Sequence, residues 1–458
     1  MRHSLLLLLL LALSGSIHAQ DSLNVHKLFH WDDPSIPVGA SSLQDQYNDI
    51  WGYAANGREY AFLGSSLGVH IFDVTDGETS VLVDHVPGRF SGTDVIHRDF
   101  KVYHDHLFAV CDEGPSSLQI MDLSYLPDSV HVVYDSDVLL QRAHDIQVDT
   151  VNARMYTCGG STNFSVYDIS DPEHPALLTD CEADVPWWGA QVGYVHDCFV
   201  RDNIVWCNDG DGMHVVDFTD AQNPVLLGSL TTYPGQGYNH SGWMNDAGTL
   251  YVMADETHGS PLKFVDPTDL SDLQVISTVT SGVAPTSIVH NPFFNGDLVH
   301  VAYYYDGYWL WNLSDPLWPI LLGYYDTNPA PNTNGFRGAW GVYPFLPSGH
   351  VLVSDMQTGL WVLDIDQATN TSERITEPTR RIWPTVTSGR VNVMAVNEAG
   401  SKNTIEVLDA RGAVVMRSTM SGSNGTLDLG DLPDGMFIVH VMNTHASFTQ
   451  RVVKNSAR

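Results

Sequence analysis

The chain repeats one hydrophobic pattern seven times: an alternating apolar run ends in an acidic or amide residue and is followed by a turn. Runs with period-two alternation predict β-strands with one buried face. The residues that end the seven runs are Asp73, Asp122, Asp168, Asp217, Asp266, Asn312 and Asp364. Successive runs end 46 to 52 residues apart, which leaves room for about four short strands in each repeat.

A turn-rich hairpin precedes each run, and a further strand, such as HPALLTD or NPVLLGSL, follows most of them. Four strands per repeat are typical of the blades of a β-propeller, whose closed ring leaves only short, protected edges. The pattern therefore predicts an all-β protein with a seven-bladed β-propeller over residues 20–366. The seventh repeat lacks its fourth strand, and we expect residues 23–31, LNVHKLFHW, to supply it.

The two ends of the chain carry other signals. Residues 1–19 join Arg2 to a short apolar run and then to small residues, which predicts a signal peptide. Residues 367–381 are polar and predict a linker, and residues 382–458 predict a small Ig-like β-sandwich of short strands with glycine turns. Beyond the leader no apolar run is long enough for a membrane span, so no transmembrane anchor is expected.

The formal net charge is −33 at pH 7, and the acidic excess lies before residue 378. Such a body repels a phosphate backbone or an anionic membrane, so nucleic acid is not an expected partner. Attraction of cations and simple solubility are both compatible with the charge. The sequence contains no Gly-x-Ser-x-Gly elbow, His-Glu-x-x-His pair or phosphate-binding loop with its lysine, which argues against the common hydrolase and nucleotide-binding classes.

The first predicted strand of each repeat begins near a pair of mostly polar residues. Because these strands start at one mouth of a propeller's axial channel, the pairs are expected to form a ring there. The pairs are Asn48-Asp49, Arg98-Asp99, His144-Asp145, His196-Asp197, His240-Ser241, His290-Asn291 and Trp340-Gly341. The candidate ligand residues are Asp49, Arg98, Asp99, His144, Asp145, His196, Asp197, His240, His290 and Asn291.

Four of these candidates, His144, His196, His240 and His290, suit Zn²⁺ or another transition metal, or general acid–base chemistry. Acidic turns after the second strands, CDEG (111–114), CNDGDG (207–212), MADETHG (253–259) and YYDG (304–307), suit Ca²⁺ and add Asp255 and Glu256 as candidates. The alternative for both groups is structural, because polar groups at blade starts also fix the ring by hydrogen bonding and acidic turns are commonly solvated loops.

The five cysteines are Cys111, Cys158, Cys181, Cys198 and Cys207, an odd number. A two-residue turn at Asp202-Asn203 would place Cys198 opposite Cys207 on paired strands. A disulfide between them is possible in an exported protein, with Cys181 as a competing partner.

The acidic body resembles the choice-of-anchor B proteins, which are built from LVIVD-type repeats. The stretches that carry the resemblance are NDIWGY (48–53), RDFKVYHDHLF (98–108), YVHDCFV (194–200), YNHSGWMNDAGTLYVMADE (238–256), VHNPFFNGDLVHVAYYYDGYWLWNLSDP (289–316) and GAWGVYPFLPSGHVLVSDMQTGLWVLD (338–364). The resemblance implies an exported propeller and no particular reaction. Met244-Asn245-Asp246 stands where the family tends to have Thr-Glu-Asp, which puts a family role for an acidic residue at 245 in doubt.

The tail resembles a type IX secretion sorting domain in WPTVTSGRVNV (383–393), IEVLDARGAVVM (405–416), LDLGDLPDGMFIVHV (427–441) and QRVVKN (450–455). Val386 replaces the usual second proline of the opening motif. The resemblance implies that the secretion machinery is a partner and that the protein is extracellular or on the outer cell surface.

These features predict a binding or adhesion module whose ligand is an extracellular protein, a glycan or a small molecule. The alternatives are a secreted metal-dependent hydrolase or lyase with a His/Asp site at the channel mouth, and a purely structural surface component. The sequence alone does not decide whether the protein is an enzyme.

Overall fold

The computed structural model describes residues 22–116, 118–333, 335–365, 381–383, 386–394, 402–409, 413–421, 424–443 and 447–455. The chain divides into two compact units, residues 1–370 and 371–458. The predicted signal peptide and residues 367–380 of the predicted linker lie outside the described residues. Within the described ranges, no helix combines the length and the hydropathy that a bilayer crossing requires.

The described part of the first unit forms seven antiparallel sheets, six of four strands and one of five. Sheets 1 and 2 comprise β3 Tyr47–Ala55, β4 Arg58–Ser65, β5 Gly68–Asp73 and β6 Val81–Pro87, then β7 Arg98–Tyr103, β8 His106–Cys111, β9 Leu118–Asp122 and β10 His131–Ser136. Sheets 3 and 4 comprise β11 Asp145–Asp149, β12 Arg154–Cys158, β13 Phe164–Asp168 and β14 Ala176–Asp180, then β15 Asp197–Arg201, β16 Ile204–Asn208, β17 Met213–Asp217 and β18 Val225–Leu230.

Sheets 5, 6 and 7 continue the same order. Sheet 5 comprises β19 Asn239–Met244, β20 Tyr251–Asp255, β21 Leu262–Asp266 and β22 Gln274–Val279. Sheet 6 comprises β23 Pro292–Asn295, β24 Leu298–Ala302, β25 Tyr308–Asn312 and β26 Ile320–Tyr325, with β1 Ser22–Leu23 at its outer edge. Sheet 7 comprises β27 Ala339–Tyr343, β28 Val351–Asp355, β29 Gly359–Ile365 and, from the start of the chain, β2 Val25–Trp31.

The sheets are arranged in a closed ring. The first strand of each sheet contacts the first strand of the next, and β27 of sheet 7 contacts β3 of sheet 1. A separate apolar core fills the space between each pair of neighbouring sheets, including the pair formed by sheets 7 and 1. This is the architecture of a β-propeller, in which the faces of successive sheets bury one another.

The outer strand of sheet 7 comes from the start of the chain, as the sequence predicted. Strand β2 pairs antiparallel with β29, from Val25 opposite Ile365 to Trp31 opposite Leu360. Val25 is buried in the core between sheets 6 and 7, whereas Phe29 and Trp31 pack on the core between sheets 7 and 1. One segment therefore joins the first and last sheets of the ring.

The acidic or amide residue that ends each repeated run has a structural role. In sheets 1 to 6 its side-chain oxygen accepts a hydrogen bond from the backbone N–H two residues later, at 2.7 to 3.0 Å. Asp73, for example, accepts from Thr75 and Asp217 from Thr219. Such Asx turns end the third strand and start the connection to the fourth, so the repeated aspartate belongs to the fold and not to the channel.

Two one-turn helices, α1 Cys181–Asp184 and α2 Trp188–Gln191, connect sheets 3 and 4, and a 3-10 helix, Gly77–Thr79, follows β5. The carboxylate of Asp180 accepts hydrogen bonds from the first amides of α1. The Trp188 indole is fully buried in the core between sheets 3 and 4 and donates to the carbonyl of Gly193.

The second unit contains two sheets around one apolar core. The three-stranded sheet comprises β30 Arg381–Trp383, β32 Arg390–Met394 and β35 Asn424–Asp428. The five-stranded sheet comprises β31 Val386–Thr387, β33 Lys402–Leu408, β34 Val414–Ser421, β36 Gly435–Met442 and β37 Ser447–Lys454.

Removal of strand β2 is expected to destabilise the whole ring. A chain that starts at residue 33 exposes the edge of β29 and the core partners of Val25, Phe29 and Trp31, so its free energy of unfolding should fall by at least about 3 kcal/mol. A chain that starts at residue 25 keeps β2 and serves as the control. Chemical denaturation measures both, and a loss of only a few tenths of a kcal/mol in the shorter chain would refute the closure role.

Acid should weaken the fold through His300. Burial lowers its pKa to about 3, and its Nδ1 lies 2.8 Å from the hydroxyl of Tyr308. The folded state therefore keeps His300 neutral while the unfolded chain takes up a proton below pH 6.5, so stability falls as the pH drops through that window. Between pH 7 and pH 5 the wild type should lose about 2 kcal/mol more than His300→Gln. Exposed His174, changed to Gln, is the control; equal pH slopes in the wild type and His300→Gln would contradict the assignment.

Candidate functional site

Five histidines and one tryptophan form a closed circle where the first strands begin. We call this set the histidine ring, and its members are His97, His144, His196, His240, His290 and Trp340. Around the circle, neighbouring side-chain centroids are 4.6, 4.2, 4.3, 4.4 and 4.4 Å apart from His97 to Trp340, and 5.5 Å from Trp340 back to His97. Sheets 2 to 7 each contribute one member.

The structure brings together the four histidines that the sequence proposed as metal ligands. It adds His97, which sequence reasoning missed because Arg98 had been taken as the member from sheet 2. Arg98 also borders the cavity, but its guanidinium is directed between sheets 1 and 2, where it donates to the carbonyls of Ser65 and Phe90. The signal that would have found His97 is its place directly before the polar pair.

Outer partners hold three of the imidazoles. Nδ1 of His97 lies 2.6 Å from Oε1 of Glu113, and Nδ1 of His144 lies 3.1 Å from Oδ2 of Asp112. Nδ1 of His290 lies 2.6 Å from the carbonyl oxygen of Trp340. Metal-binding histidines typically have one ring nitrogen held by a carboxylate or carbonyl in this way. Both carboxylates come from the CDEG turn after β8, which the sequence had associated with Ca²⁺.

Two further imidazoles have an unused nitrogen. Nδ1 of His196 and Nδ1 of His240 are buried and have no hydrogen-bond partner among the described residues. A buried polar atom without a partner costs roughly 1–3 kcal/mol. The ring therefore contains two imidazole nitrogens that form no hydrogen bond with the described residues and are left for a ligand.

Four of the five histidines are held in the neutral form. Burial lowers the pKa of His144 and, to about 3, that of His290, and it lowers the pKa values of His196 and His240 well below the usual value. Burial also acts against protonation of His97, but the hydrogen bond and charge of Glu113 raise its pKa. A neutral imidazole keeps the lone pair that metal binding requires.

A layer of carboxyl groups lies one step further along the channel. Asp49, Asp99, Asp145 and Asp197 line it together with Lys101. The ammonium of Lys101 lies 2.9 and 3.0 Å from the two carboxylate oxygens of Asp99 and 3.7 Å from Asp145. The amide of Ile146 also donates to Asp99, at 2.7 Å.

The carboxyl groups of this acidic layer have pKa values shifted in opposite directions. Burial favours the neutral form of Asp99, yet the charge of Lys101 and the hydrogen bonds from its neighbours lower its pKa to about 2. Burial raises the pKa of Asp197 to about 8 and raises the pKa values of Asp49 and Asp145 well above normal. The layer is thus built around one buried ion pair, Lys101 and Asp99.

The remaining candidates have different surroundings. Asn291 borders both layers. Asp255 lies outside the channel, since its carboxylate is 3.0 Å from the buried Lys263 ammonium and accepts from Tyr233 and Gly237. Glu256, the next residue, does reach the ring: its Oε1 lies 4.0 Å from Nε2 of His290 and accepts a hydrogen bond from Tyr304. Burial raises the pKa of Glu256 to about 7.

The side chains that could bind a metal ion lie in sets of three, and the four predicted histidines do not belong to a single set. Among the described residues the sets whose ligand atoms lie within 4.8 Å of one another are His97/Asp112/His144, His240/Glu256/His290 and Asp145/Cys158/Cys198. His196 belongs to none of them. The predicted Ca²⁺ turn at 207–212 forms no such group either, because Asp209 is hydrogen-bonded to His214 and to the amides of Asp211 and Gly212.

The cysteines agree with the predicted register but carry no disulfide. Asp202 and Asn203 form the turn with φ of 52° and 63°, and Cys198 pairs with Cys207. All five cysteines are buried free thiols, so both predicted pairings, Cys198 with Cys207 and with Cys181, are absent. Four of them pack as apolar side chains in the core between sheets 3 and 4.

The cavities along the channel differ in size. The cavity bordered by both the histidine ring and the acidic layer is about 30 Å³, and the cavity between the acidic layer and Lys101 is about 20 Å³. About 10–15 Å³ on this measure accommodates one water molecule, so these spaces fit ions or single waters and no sugar or peptide. A larger recess of about 460 Å³ lies beyond Lys101, where its lining includes Trp51, Phe199, Arg201 and Trp243.

Loss of the Lys101 ammonium is expected to leave the Asp99 carboxylate buried and unpaired. Lys101→Met should lower the free energy of unfolding by about 3–5 kcal/mol. In the double variant Lys101→Met/Asp99→Asn, the loss of free energy of unfolding should be clearly smaller than the sum of the losses in Lys101→Met and in Asp99→Asn. Exposed Lys27, changed to Met, is the control and should shift stability by less than about 0.5 kcal/mol. Urea denaturation at pH 7 measures all four, and additive losses would rule out the ion pair.

Comparisons with known proteins identify the C-terminal part of the chain. Residues 381–455 match a family model described as a secretion system C-terminal sorting domain. No curated protein matches the chain. A solved structure of a protein from Lactobacillus plantarum has a TM-score of 0.50 and 11% identity, over 84% of this chain and 99% of that one.

Two further solved structures are less similar. The β-propeller domain of Cps50 (Swd1) from Myceliophteria thermophila has a TM-score of 0.46 and 10% identity, over 70% of this chain and 96% of that one. The computationally designed Ika8 protein has a TM-score of 0.44 and 12% identity, over 70% and 83%. Likeness at these identities concerns the fold alone. The chain is therefore an all-β protein of propeller architecture that carries a type IX secretion sorting domain at residues 381–455 and is secreted or displayed at the cell surface.

Proposed function

We propose that this protein is an exported cation-binding module: a seven-bladed β-propeller that binds a divalent transition-metal ion in its histidine ring. In this proposal residues 1–19 are a signal peptide, residues 20–366 are a propeller of the choice-of-anchor B kind, residues 367–381 are a linker, and residues 382–458 are an Ig-like sorting domain. The seven sheets and their closed ring of contacts support the blade count.

The observation that carries the proposal is the convergence of five imidazoles, four of them neutral, on a space of about 30 Å³. Imidazole nitrogen is a ligand for zinc, copper, nickel and iron, whereas Ca²⁺ requires six to eight oxygens. The ring therefore favours Zn²⁺ or a similar ion over Ca²⁺. The acidic body adds an attraction for cations in general.

Size distinguishes this function from the alternatives. A glycan or a peptide does not fit inside the ring, and a hydrolase would have to admit its substrate next to the metal. Glu256 and the imidazoles supply acid–base groups for such chemistry, but the cavity that the imidazoles line holds only water-sized ligands. Binding without turnover is the function that the geometry supports best.

Metal analysis of the purified chain tests the proposal. After loading with Zn²⁺ and dialysis, the wild type should retain a whole number of zinc ions per chain. His144→Gln and His240→Gln should each retain at least half a zinc ion per chain less than the wild type. His300→Gln is the control, because His300 is a buried histidine that does not line the cavity. Zinc retention that is absent in the wild type, or unchanged in both ring variants, would refute cation binding by the ring.

The outer partner of His97 gives a second measurement. Glu113→Gln keeps the shape of the side chain but removes the charge that orients His97, so zinc affinity should fall by about 10–100-fold. Competition with a chromophoric chelator measures the affinity. Exposed Glu182, changed to Gln, is the control, and equal affinities in both variants would exclude the orienting role.

A further inference from the structure

The histidine ring is wider than one ion can use. An imidazole that binds a metal through nitrogen at about 2.1 Å has its centroid about 3.2 Å from the ion, so two imidazoles on one ion have centroids at most about 6.4 Å apart. Neighbours in the ring meet this limit, at 4.2 to 4.6 Å. In a regular circle of six members with this spacing, the centroids of opposite members are about 9 Å apart, which exceeds the limit of about 6.4 Å. One ion can therefore bind only to neighbouring imidazoles.

Two neighbouring pairs have the same construction. At the junction of sheets 2 and 3, the ligand atoms come from His97, from His144 and from Asp112, the residue directly after the second strand of sheet 2. At the junction of sheets 5 and 6, they come from His240, from His290 and from Glu256, the residue directly after the second strand of sheet 5.

In each group the carboxylate lies beside the histidine from the following sheet. Oδ2 of Asp112 is hydrogen-bonded to Nδ1 of His144 at 3.1 Å, a bond that an ion held by Asp112 would replace, and Oε1 of Glu256 lies 4.0 Å from Nε2 of His290. Two histidines and one carboxylate form a ligand set that binds Zn²⁺ or Fe²⁺ and leaves coordination positions for water.

The other junctions lack this construction. Between sheets 3 and 4 the residue after the second strand is Gly159, which has no ligand atom. Between sheets 4 and 5 it is Asp209, whose carboxylate is already held by His214 and by two amides of its own turn. Between sheets 6 and 7 the residue after the second strand is Tyr303, and the ring member from sheet 7 is Trp340, where the other sheets of the ring have a histidine.

We infer that the histidine ring holds two divalent transition-metal ions, one bound by His97, His144 and Asp112 and the other by His240, His290 and Glu256. The inference rests on the proposed function and specifies its stoichiometry and ligands. His196 lies between the two sites and Trp340 separates them on the opposite side.

Metal counting with Co²⁺ and Zn²⁺ tests the inference on the purified full chain. The wild type should hold two ions per chain after dialysis. Asp112→Asn and Glu256→Gln should each hold one and show half the visible Co²⁺ absorbance, and the double variant should hold none. Asp209→Asn is the matched control: it changes the acidic residue at the equivalent position of sheet 4 and should still hold two ions.

Both substitutions preserve side-chain size, and circular dichroism with thermal unfolding checks that each variant folds; the wild-type count needs no variant. A single ion in the wild type, or a count that neither variant lowers, overturns the two-site inference and leaves cation binding by the ring in place. No retained ion in the wild type overturns the proposed function as well.

Discussion

The pairing of β2 with β29 is the interaction on which the rest of the structure depends. It places the start of the chain on the last sheet, and two neighbouring cores use side chains of this strand. The contact between β27 and β3 closes the circle of first strands. Since the channel is lined only by those first strands and the residues beside them, a ring that opened there would separate its polar layers.

The layers of the channel follow the first strands from their starts. The member of the histidine ring lies at or just before the start of a first strand, and the residue at the level of the acidic layer follows one position later, or two in sheet 2. The third-level residue lies two positions further, on the same face of the strand. At that third level lie Trp51, Lys101, Gln147, Phe199, Trp243 and Phe293. One repeated register thus stacks three chemically different layers, and burial together with the neighbouring charges shifts the pKa values of their groups.

The sequence predicted the parts of this arrangement that follow from periodicity. The repeat spacing, the closing strand and the turn at Asp202-Asn203 all depend on local pattern, and the structure contains each of them. His97 was missed because the alternative, Arg98, is also polar and lies one residue away. Asp112 and Glu256 were associated with Ca²⁺ turns because their approach to the histidines depends on how a second strand ends beside the next sheet, which no spacing in the sequence reveals.

Lys101 makes the two ends of the channel different. Its ammonium stands between the acidic layer and the wide recess, held by Asp99 and 4.5 Å from the centroid of the Trp51 indole. A cation that entered through the imidazoles would meet the ion pair of Lys101 and Asp99 before it reached the other face. Under the proposed function this pair would close the axis beyond the acidic layer, and an ion bound in the ring would leave through the opening by which it entered.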